Sequence, residues 1–494
     1  MVKSNNKYTQ KKGLKQGGKK DRRRPKKIKA STPHGYTNEF LSPYGGLLPL
    51  VKLWDALKFE SLFASGYCEP PRQTEYGSLF FIKGLLMLLF IGFCRLYHFV
   101  YVCEDAMLLG ILGIEQLPAV STFWRYLQSL GHNQALSLLR IGAALRERAW
   151  KSLGIFYESI HIDIDTTVET VYGLIEGAKR GHNPKHRGKK GVRPVLAFIA
   201  ETREYLAGKF RRGETISGQQ TAQFILSFKG LIPSCVKKVH LRADAELFSW
   251  TAVKACDRRG YDYTISAKRT RPPFDPKGWY HVGRDEEIQY NSCFFQPQGW
   301  EKPCRFVAQR IPKERGKAPS EPVQFELFED DRYKYRIFVT SQPWRPHKVI
   351  QDYDGRAGAE NLIGEANREG LAAIPGKKFQ SNKAYFQIVM LSYNLWRYMI
   401  GFADLHEREQ KAQNTIHVSR LKLLFIAAKI VSGRNRTKVN YSSHLSGKER
   451  LDRLIRNLDT LRKHPEILSS PIYWQNQSQS SMQKIFCINN VVRT

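Results

Sequence analysis

The stretch Ser-Ile-His-Ile-Asp-Ile-Asp-Thr-Thr at residues 159–167 decides the fold class. Its isoleucines alternate with His161, Asp163 and Asp165, and this period of two predicts a β-strand with one apolar and one polar face. A buried carboxylate is costly unless it is paired or bound to a metal, so the strand indicates a site as well as a sheet. The ordinary alternative is that these carboxylates lie at an exposed sheet edge or pair with a nearby lysine.

Outward from this stretch, strand-like and helix-like segments alternate, which predicts an α/β layer architecture with a mixed sheet. The predicted strands are Val192–Ala200, Tyr205–Phe210, Val236–Ala243, Tyr263–Ala267 and Tyr335–Ser341, and the predicted helices are Ser217–Lys229, Glu246–Arg258, Tyr353–Glu369 and Tyr385–Phe402. Residues 270–335 are rich in Pro, Gly and aromatic residues and predict a β-rich insertion. The last 90 residues are basic, and we expect them to be mostly helical up to about residue 463.

Residues 50–150 carry apolar side chains at helical spacing. The apolar run Leu79–Cys94 contains Lys83 and is shorter than the roughly 20 residues of a membrane span, so it predicts a buried core helix. The segment Pro118–Leu127 predicts a helix start with Ser121 or Thr122 as N-cap. This helix is either a DNA-recognition helix or an ordinary packing helix.

The charge balance indicates an acidic partner. The 494 residues carry a formal net charge of +34, and residues 1–30 hold thirteen Lys/Arg against one Asp, so the rest of the chain is also basic. With 42% hydrophobic residues, wholesale disorder is excluded. Nucleic acid is the leading partner and an anionic membrane surface the second. The eight cysteines are scattered without a Cys-x-x-Cys pair, which favours reduced thiols in a cytosolic protein.

Two further segments carry acidic residues in a suggestive context. An apolar strand ends at Asp244 just before a helix, at the strand end where open α/β sheets place their sites, although Asp is also a good N-cap. Tyr353, Arg356 and Glu360 have the spacing of one helix face, although an Arg–Glu pair at this spacing is also common on surfaces. Carboxylates from two strands and a helix can hold two divalent cations such as Mg²⁺, which suit phosphoryl transfer.

These residues resemble a known family. Asp165-Thr166-Thr167, Arg242-Ala243-Asp244 and Tyr353-x-x-Arg356-x-x-x-Glu360 are similar to the three signatures of DDE transposases from bacterial insertion sequences, in the subgroup with a β-rich insertion. The resemblance covers roughly residues 75–435. It implies an RNase H-like catalytic domain that binds two Mg²⁺ ions, with Mn²⁺ as an alternative. It also implies DNA strand cleavage and strand transfer at the ends of the element.

The resemblance also implies roles for single residues. Asp165 matches the first catalytic, metal-binding carboxylate, with Asp163 as the alternative, and Asp244 and Glu360 match the second and third. The family pattern places Tyr353 and Arg356 at DNA phosphate. Asn367 stands where the family pattern has a lysine after the glutamate, so either Arg368 supplies that charge from the next position or the contact is lost.

Further DNA-contact residues are predicted from charge alone. The segment Gly177–Arg193 contains seven Lys/Arg between two predicted strands, so it is either a solvated hairpin tip or a DNA-backbone contact, which we favour. Two more basic residues, Lys268 and Arg269, follow the predicted strand Tyr263–Ala267 just before the insertion. The predicted contacts are Lys185, Arg187, Lys189, Lys190, Lys268 and Arg269.

The predicted organisation is a disordered basic arm (1–35), a helical DNA-binding region (36–152), a catalytic core (153–269 and 335–405) interrupted by the β-rich insertion (270–334), and a basic C-terminal region (406–494). The leading hypothesis is a transposase that acts on double-stranded DNA as a dimer, with no membrane partner, in the nucleoid region of a bacterial cytoplasm. The alternatives are a non-catalytic, domesticated DNA-binding descendant and an RNA-processing protein.

Overall fold

The structure is a computed structural model of the chain, and it describes residues 27–71, 75–181, 183, 186–283, 285–313, 333–403, 414–433 and 436–469. Most of the predicted basic arm, Lys185 and the tail from residue 470 lie outside the described residues. The chain divides into a unit at Met1–Glu39 and a second at Phe40–Thr494. In the first unit, the described residues 27–39 contain a turn closed by the Thr32 amide on the Lys29 carbonyl (3.0 Å).

The second unit begins with a short strand and six helices, as the helical spacing of residues 50–150 predicts. They are β1 (Phe40–Ser42), α1 (Leu47–Ala56), α2 (Phe59–Gly66), α3 (Gly77–Ile91), α4 (Ala106–Leu112), α5 (Val120–Ser129) and α6 (His132–Leu153). Helix α3 is buried along most of its length, which confirms the predicted core helix. Among the described residues, no helix combines the length and apolarity needed to cross a membrane.

The centre of the molecule is a nine-stranded mixed sheet. Its first strands along the chain are β2 (Ser159–Thr166), β6 (Val195–Ile199), β7 (Glu204–Lys209), β8 (Lys238–Ala243) and β9 (Asp262–Ser266). Between β2 and β6, the chain forms a separate three-stranded sheet of β3 (Glu169–Thr170), β4 (Lys179–Arg180) and β5 (Lys190–Val192). Helix α7 (Gly218–Leu226) precedes β8, and helix α8 (Trp250–Arg259) follows it. Strand β2 is antiparallel to β6 and parallel to β8, which is in turn parallel to β9. The mixed α/β sheet predicted from the alternation is confirmed.

The predicted insertion extends this sheet. Its strands are β10 (Tyr280–Val282), β11 (Asp285–Phe295) and β12 (Cys304–Pro312), followed by β13 (Tyr333–Thr340). The nine strands follow the order β10-β11-β12-β13-β9-β8-β2-β6-β7, so β13 joins the insertion to the edge of β9 by antiparallel pairing. The insertion is therefore β-rich, as expected, and continuous with the central sheet.

The remaining elements are α9 (Pro346–Asp354), α10 (Ala357–Ala366), α11 (Phe379–Ala403), α12 (Ile416–Leu423), β14 (Ala428–Ser432), β15 (Thr437–Tyr441), α13 (Lys448–Lys463) and α14 (Glu466–Ser469). Two predictions are wrong here. The expected helix at residues 353–369 is divided between α9, α10 and an irregular turn at Asn367–Leu371. The mostly helical C-terminal region contains the hairpin β14–β15, which pairs with β1, because β1 offers a free strand edge that local spacing cannot reveal.

Two apolar cores cover the two faces of the sheet. The isoleucines of β2 pack with α7 and α8, while α11 and the N-terminal helices share the other core with Leu196, Phe198 and Tyr205. Helix α11 is buried on nearly all sides, and its buried polar residues Gln387, Asn394 and Arg397 are hydrogen-bonded inside the protein. Helix α7 begins with a capping box in which Ser217 and Gln220 satisfy each other's backbone N–H.

Helix α5 tests the hypothesis of a recognition helix. Its N-cap is Ala119, without a side-chain hydrogen bond, so the predicted Ser121 or Thr122 cap is wrong. Tyr126 is buried and stacks on Phe81 (centroids 4.5 Å apart), whereas Trp124 is exposed. One face of the helix therefore packs in the core, and the other is open to solvent.

Candidate active site

A ladder of polar side chains runs along the covered face of β2 and β8. Parallel pairing sets His161 opposite His240 and Asp163 opposite Arg242, while the intervening apolar side chains turn into the core. The last register pair is Ile164 and Ala243, and Asp165 and Asp244 are the next residues on their strands. Because neighbouring strands lie about 4.8 Å apart, the register brings these two residues side by side.

The middle pair of this ladder, Asp163 and Arg242, forms an ion pair. The guanidinium of Arg242 donates to both carboxylate oxygens of Asp163, at 2.7 and 3.0 Å, and both side chains are buried. Arg242 also donates to the backbone carbonyl of Asp352 (2.6 Å). Burial raises the pKa of Asp163, and the hydrogen bond from Arg242 opposes that shift. Asp163 thus has its oxygens engaged inside the protein.

The last pair of the ladder, Asp165 and Asp244, brings two carboxylates together at the strand ends. Asp165 accepts the Thr166 amide at 2.7 Å, and its other oxygen lies 3.0 Å from Nη2 of Arg356. Burial raises the pKa of Asp165 to about 7, with Asp244 and Glu360 adding to the rise and Arg356 opposing it. Burial also raises the pKa of Asp244, again against Arg356. The three carboxylates predicted as catalytic are therefore within electrostatic reach of one another.

A break between α9 and α10 separates residues that were predicted to share one face of a single helix. Helix α9 ends at Asp354, and a Cβ at Gly355 would lie 2.9 Å from Nη1 of Arg242, so the close approach of the chain here suits glycine. Glu360 lies in the first turn of α10 and is exposed. Tyr353 and Arg356 are turned inward and buried, so the prediction of a single face shared by all three residues is wrong.

Tyr353 and Arg356 hold the two strand ends. The hydroxyl of Tyr353 donates to the carbonyl of Ala243 (3.2 Å), and Arg356 Nη2 lies 3.3 Å from the carbonyl of Ile164. These carbonyls belong to the residues directly before Asp244 and Asp165. The ring of Tyr353 also packs on Phe338, with centroids 4.5 Å apart. The family pattern places both residues at DNA phosphate, and it gives no indication of these internal contacts.

The other predicted DNA-contact residues differ in their surroundings. Lys268 points towards the site, with Nζ 3.3 Å from the carbonyl of Glu246, whereas Arg269 is exposed with a positive φ of 50°. Arg368 is exposed in the irregular turn after α10. The exposed Arg187 and Lys189 lie between β4 and β5, and the exposed Lys190 is the first residue of β5. Lys185 lies outside the described residues.

A cavity of about 750 Å³ beside β7 and α7 has cationic walls that sequence analysis missed. It is lined by Arg140, Lys209, Arg211, Arg212, Lys229 and Lys383 among others. Burial lowers the pKa of Lys209, and repulsion from Arg211 and Lys383 lowers it further. The sequence signal for this cavity is the basic run Lys209–Arg212. The run continues a predicted strand and adds few charges to an already basic chain, so it does not stand out.

Comparisons with known proteins supply an independent observation. Residues 33–463 match the model of a family described as "Transposase DDE domain group 1". A search of curated proteins found no match. A solved structure, described as a cryo-EM structure of a piggyBac transposase synaptic complex with hairpin DNA, is similar with 10% identity and a TM-score of 0.39, covering 91% of this chain and 85% of that chain. At a TM-score this low, the likeness carries no further conclusion.

Proposed function

The chain belongs to the transposase DDE domain group 1 family, and we propose that it cuts and joins DNA strands at the ends of a bacterial insertion sequence. At a general level, the family is one of DNA nucleases and strand transferases. The observation that carries the proposal is the meeting of Asp165 and Asp244 at neighbouring parallel strand ends, where the charge of Glu360 also reaches them.

The catalytic unit in this proposal is an RNase H-like core. It comprises β2, β6–β9, α7 and α8 from residues 153–269 together with residues 335–405, and the β-rich insertion lies between the two parts. Residues 36–152 would serve as a DNA-binding region, in which α5 exposes Trp124. The arm at 1–35 and the C-terminal region from 406 complete the proposed domain boundaries.

The donor set at the strand ends fits a hard divalent cation. Asp165, Asp244 and Glu360 offer carboxylate oxygens, which Mg²⁺ and Mn²⁺ prefer as ligands. Burial is the main cause of the raised pKa of Asp165, Arg356 opposes it, and the charges of Asp244 and Glu360 add to it, so a cation bound here would favour the ionised carboxylate. Two such ions, when bound, stabilise the attacking and leaving oxygens of an in-line phosphoryl displacement.

The chain's own residues orient this donor set. Asp165 is the better choice for the first ligand because Asp163 is fully engaged by Arg242. Tyr353 and Arg356 fix the carbonyls directly before Asp244 and Asp165, and so they keep the two carboxylates side by side. We therefore assign Tyr353 and Arg356 as positioning residues, in place of the DNA contacts that the sequence pattern implies.

The proposed partner is double-stranded DNA, comprising the ends of the element and the target, bound by a dimer. Lys268 and Arg269 lie at the exit of β9 near the carboxylates, and Arg187, Lys189 and Lys190 form an exposed basic tip. Arg368 is a further exposed cation after α10. Cations on such surfaces neutralise phosphates without reading sequence.

The test compares cleavage with binding, using a DNA fragment that carries the sequences flanking the reading frame. In Mg²⁺, we expect Asp165→Asn, Asp244→Asn and Glu360→Gln each to reduce strand cleavage at least about 1000-fold, because an amide cannot replace the charge that holds the cation. DNA affinity, measured in the same buffer, should be unchanged.

The matched control is Asp354→Asn. This substitution removes the exposed carboxylate at the end of α9, which pairs with Arg336 of β13. This variant should cleave like the wild type. A wild-type protein that binds the fragment but leaves it intact would support the non-catalytic, domesticated alternative. Full cleavage by the three carboxylate variants would overturn the proposed site.

A further inference from the structure

The first rung of the polar ladder forms a second cluster, next to the closed Asp163–Arg242 pair. Nε2 of His161 lies 3.0 Å from one carboxylate oxygen of Asp352, and Nδ1 of His240 lies 3.4 Å from the other. Ligand atoms of all three residues lie within 4.8 Å of one another. His240 is almost fully buried, whereas His161 and Asp352 keep a limited path to solvent.

A hydrogen-bond chain fixes the tautomer of His240. The hydroxyl of Thr340 donates to the carbonyl of Tyr263 (2.9 Å), so its oxygen is left to accept from the hydroxyl of Thr264 (3.1 Å). The oxygen of Thr264 then accepts from Nε2–H of His240 (3.0 Å). Nδ1 of His240 is consequently a bare lone pair, and it faces a carboxylate oxygen of Asp352.

Two acceptor atoms that face each other in a buried place require a cation between them. Neither Nδ1 of His240 nor the facing oxygen of Asp352 has a hydrogen-bond partner. Arg242 is the neighbouring cation, with Nη1 4.0 Å from Oδ1 of Asp352. Its hydrogen bonds go to Asp163 and to the backbone carbonyl of Asp352, so it does not bridge the two bare atoms.

His161 is held by an outer partner in the same manner. Its Nδ1 lies 2.7 Å from Oε1 of Glu201, which accepts its proton and leaves Nε2 directed at Asp352. Histidines that bind metals commonly donate their second nitrogen to a carboxylate or another acceptor, which fixes the ring orientation. Both histidines of the cluster thus have the outer contacts of metal ligands.

We propose that His161, His240 and Asp352 bind one divalent transition-metal ion of the zinc class. Two imidazole nitrogens and one carboxylate oxygen suit Zn²⁺ or Co²⁺ and not Mg²⁺. Zinc–ligand bonds of about 2.0–2.1 Å place tetrahedral ligands roughly 3.3 Å apart. The three ligand atoms of the cluster lie within 4.8 Å of one another, so small side-chain movements bring them to this spacing.

The ion would replace a proton and join three elements. Nε2 of His161 lies 3.0 Å from Oδ1 of Asp352, so an ion bound between them takes the place of the proton that these two atoms share. The site fastens α9 to β2 and β8, one turn before Arg356 holds the strand end at Asp165. This metal site is separate from the carboxylate site and does not depend on the proposed catalytic reaction.

The experiment uses the full-length, metal-free protein in excess Mg²⁺, so that the oxygen-ligand site is not the one measured. Titration with Zn²⁺ in buffers of different protonation enthalpy should show one ion bound per chain and about one proton released. His240→Ala and Asp352→Asn should lower the affinity at least about 100-fold, and Glu201→Gln about 10-fold. His444→Ala, which removes an exposed histidine on the C-terminal region, is the matched control and should bind normally.

A second measurement covers the case in which the variants do not fold. X-ray absorption at the zinc edge of the wild-type complex should show nitrogen and oxygen ligands with two imidazoles. Sulfur ligation, or less than one ion per chain, would overturn the proposal. Unchanged affinity in folded His240→Ala would do the same, and the cluster would then be a proton-sharing ion group.

Discussion

The carboxylates of the helical core and the carboxylate of Asp165 at the end of β2 are all buried, but they are neutralised differently. Glu365 pairs with Arg397 and also accepts the Ile416 amide (2.7 Å) and the Tyr393 hydroxyl (3.3 Å). Glu369 in the same core pairs with the guanidinium of Arg420. Each of these core acids therefore has its own guanidinium.

At the strand ends, the same neutralisation is shared. Arg356 lies against Asp165 and also opposes the pKa rise of Asp244, while the exposed Glu360 adds further negative charge. Each acid of the helical core is thus matched one to one, whereas at the strand ends a single guanidinium serves several carboxylates, as the proposed cation site requires. Asp163 belongs to the first kind although it is only two residues from Asp165.

The largest expected effect separates Asp163 from Asp165 by stability. Asp163→Asn should lower the free energy of unfolding by about 3–5 kcal/mol, as should Glu365→Gln, because each leaves a buried guanidinium without its carboxylate. Asp165→Asn should leave it unchanged or raise it, because Arg356 keeps the charge of Asp244 and the carbonyl of Ile164 beside it. Chemical denaturation measures all three variants, and equal losses at Asp163 and Asp165 would remove the distinction between the two kinds of acid.

Arg356 should behave as a positioning residue. Arg356→Lys cannot reach both the carboxylate of Asp165 and the carbonyl of Ile164, so we expect cleavage to fall about 100-fold with unchanged DNA affinity. Arg336→Lys, at an exposed ion pair with Asp354, is the control and should be neutral. A loss of affinity that matches the loss of cleavage would restore the phosphate contact that the sequence pattern implies.

The shared neutralisation also predicts a pH dependence. The folded pKa of Asp165 is raised to about 7, above its unfolded value of about 3.9, so its contribution to stability is complete below pH 4 and is lost as the pH rises through 7. In the presence of a chelator, Asp165→Asn should gain on the order of 4 kcal/mol relative to wild type between pH 4 and pH 8. Urea denaturation at both pH values checks this, and a constant difference would contradict it.

The smallest expected effect concerns the reverse imbalance, an excess of cations over acids, in the cavity beside β7, where Glu214 lies among six Lys/Arg residues. Lys209→Ala and Lys383→Ala should each reduce the slope of log affinity against log salt for DNA by about 1, if the cavity receives phosphate. Lys254→Ala, at an exposed pair with Glu301, serves as the control. Unchanged slopes would exclude these lysines from the DNA surface.

Much of the site could be predicted because its residues follow local patterns. The alternation at residues 159–166 predicted a strand, and the strand ending at Asp244 predicted a second one, both of which the structure contains. The inward turn of Tyr353 and Arg356 could not be predicted in this way. It depends on the break at Gly355 and on the guanidinium of Arg242, which comes from a strand more than 100 residues earlier.

The sequence by itself determined the strands, most helices, the basic charge and the acidic residues at the strand ends, because periodicity, composition and motif spacing are local properties. Only the tertiary structure decided how the polar residues are matched. The parallel register of β2 and β8 paired Asp163 with Arg242 and left Asp165 beside Asp244. It also set His161 opposite His240. The physical reason is that ion pairing and metal ligation act over a few ångström, and only chain packing brings residues so distant in sequence that close.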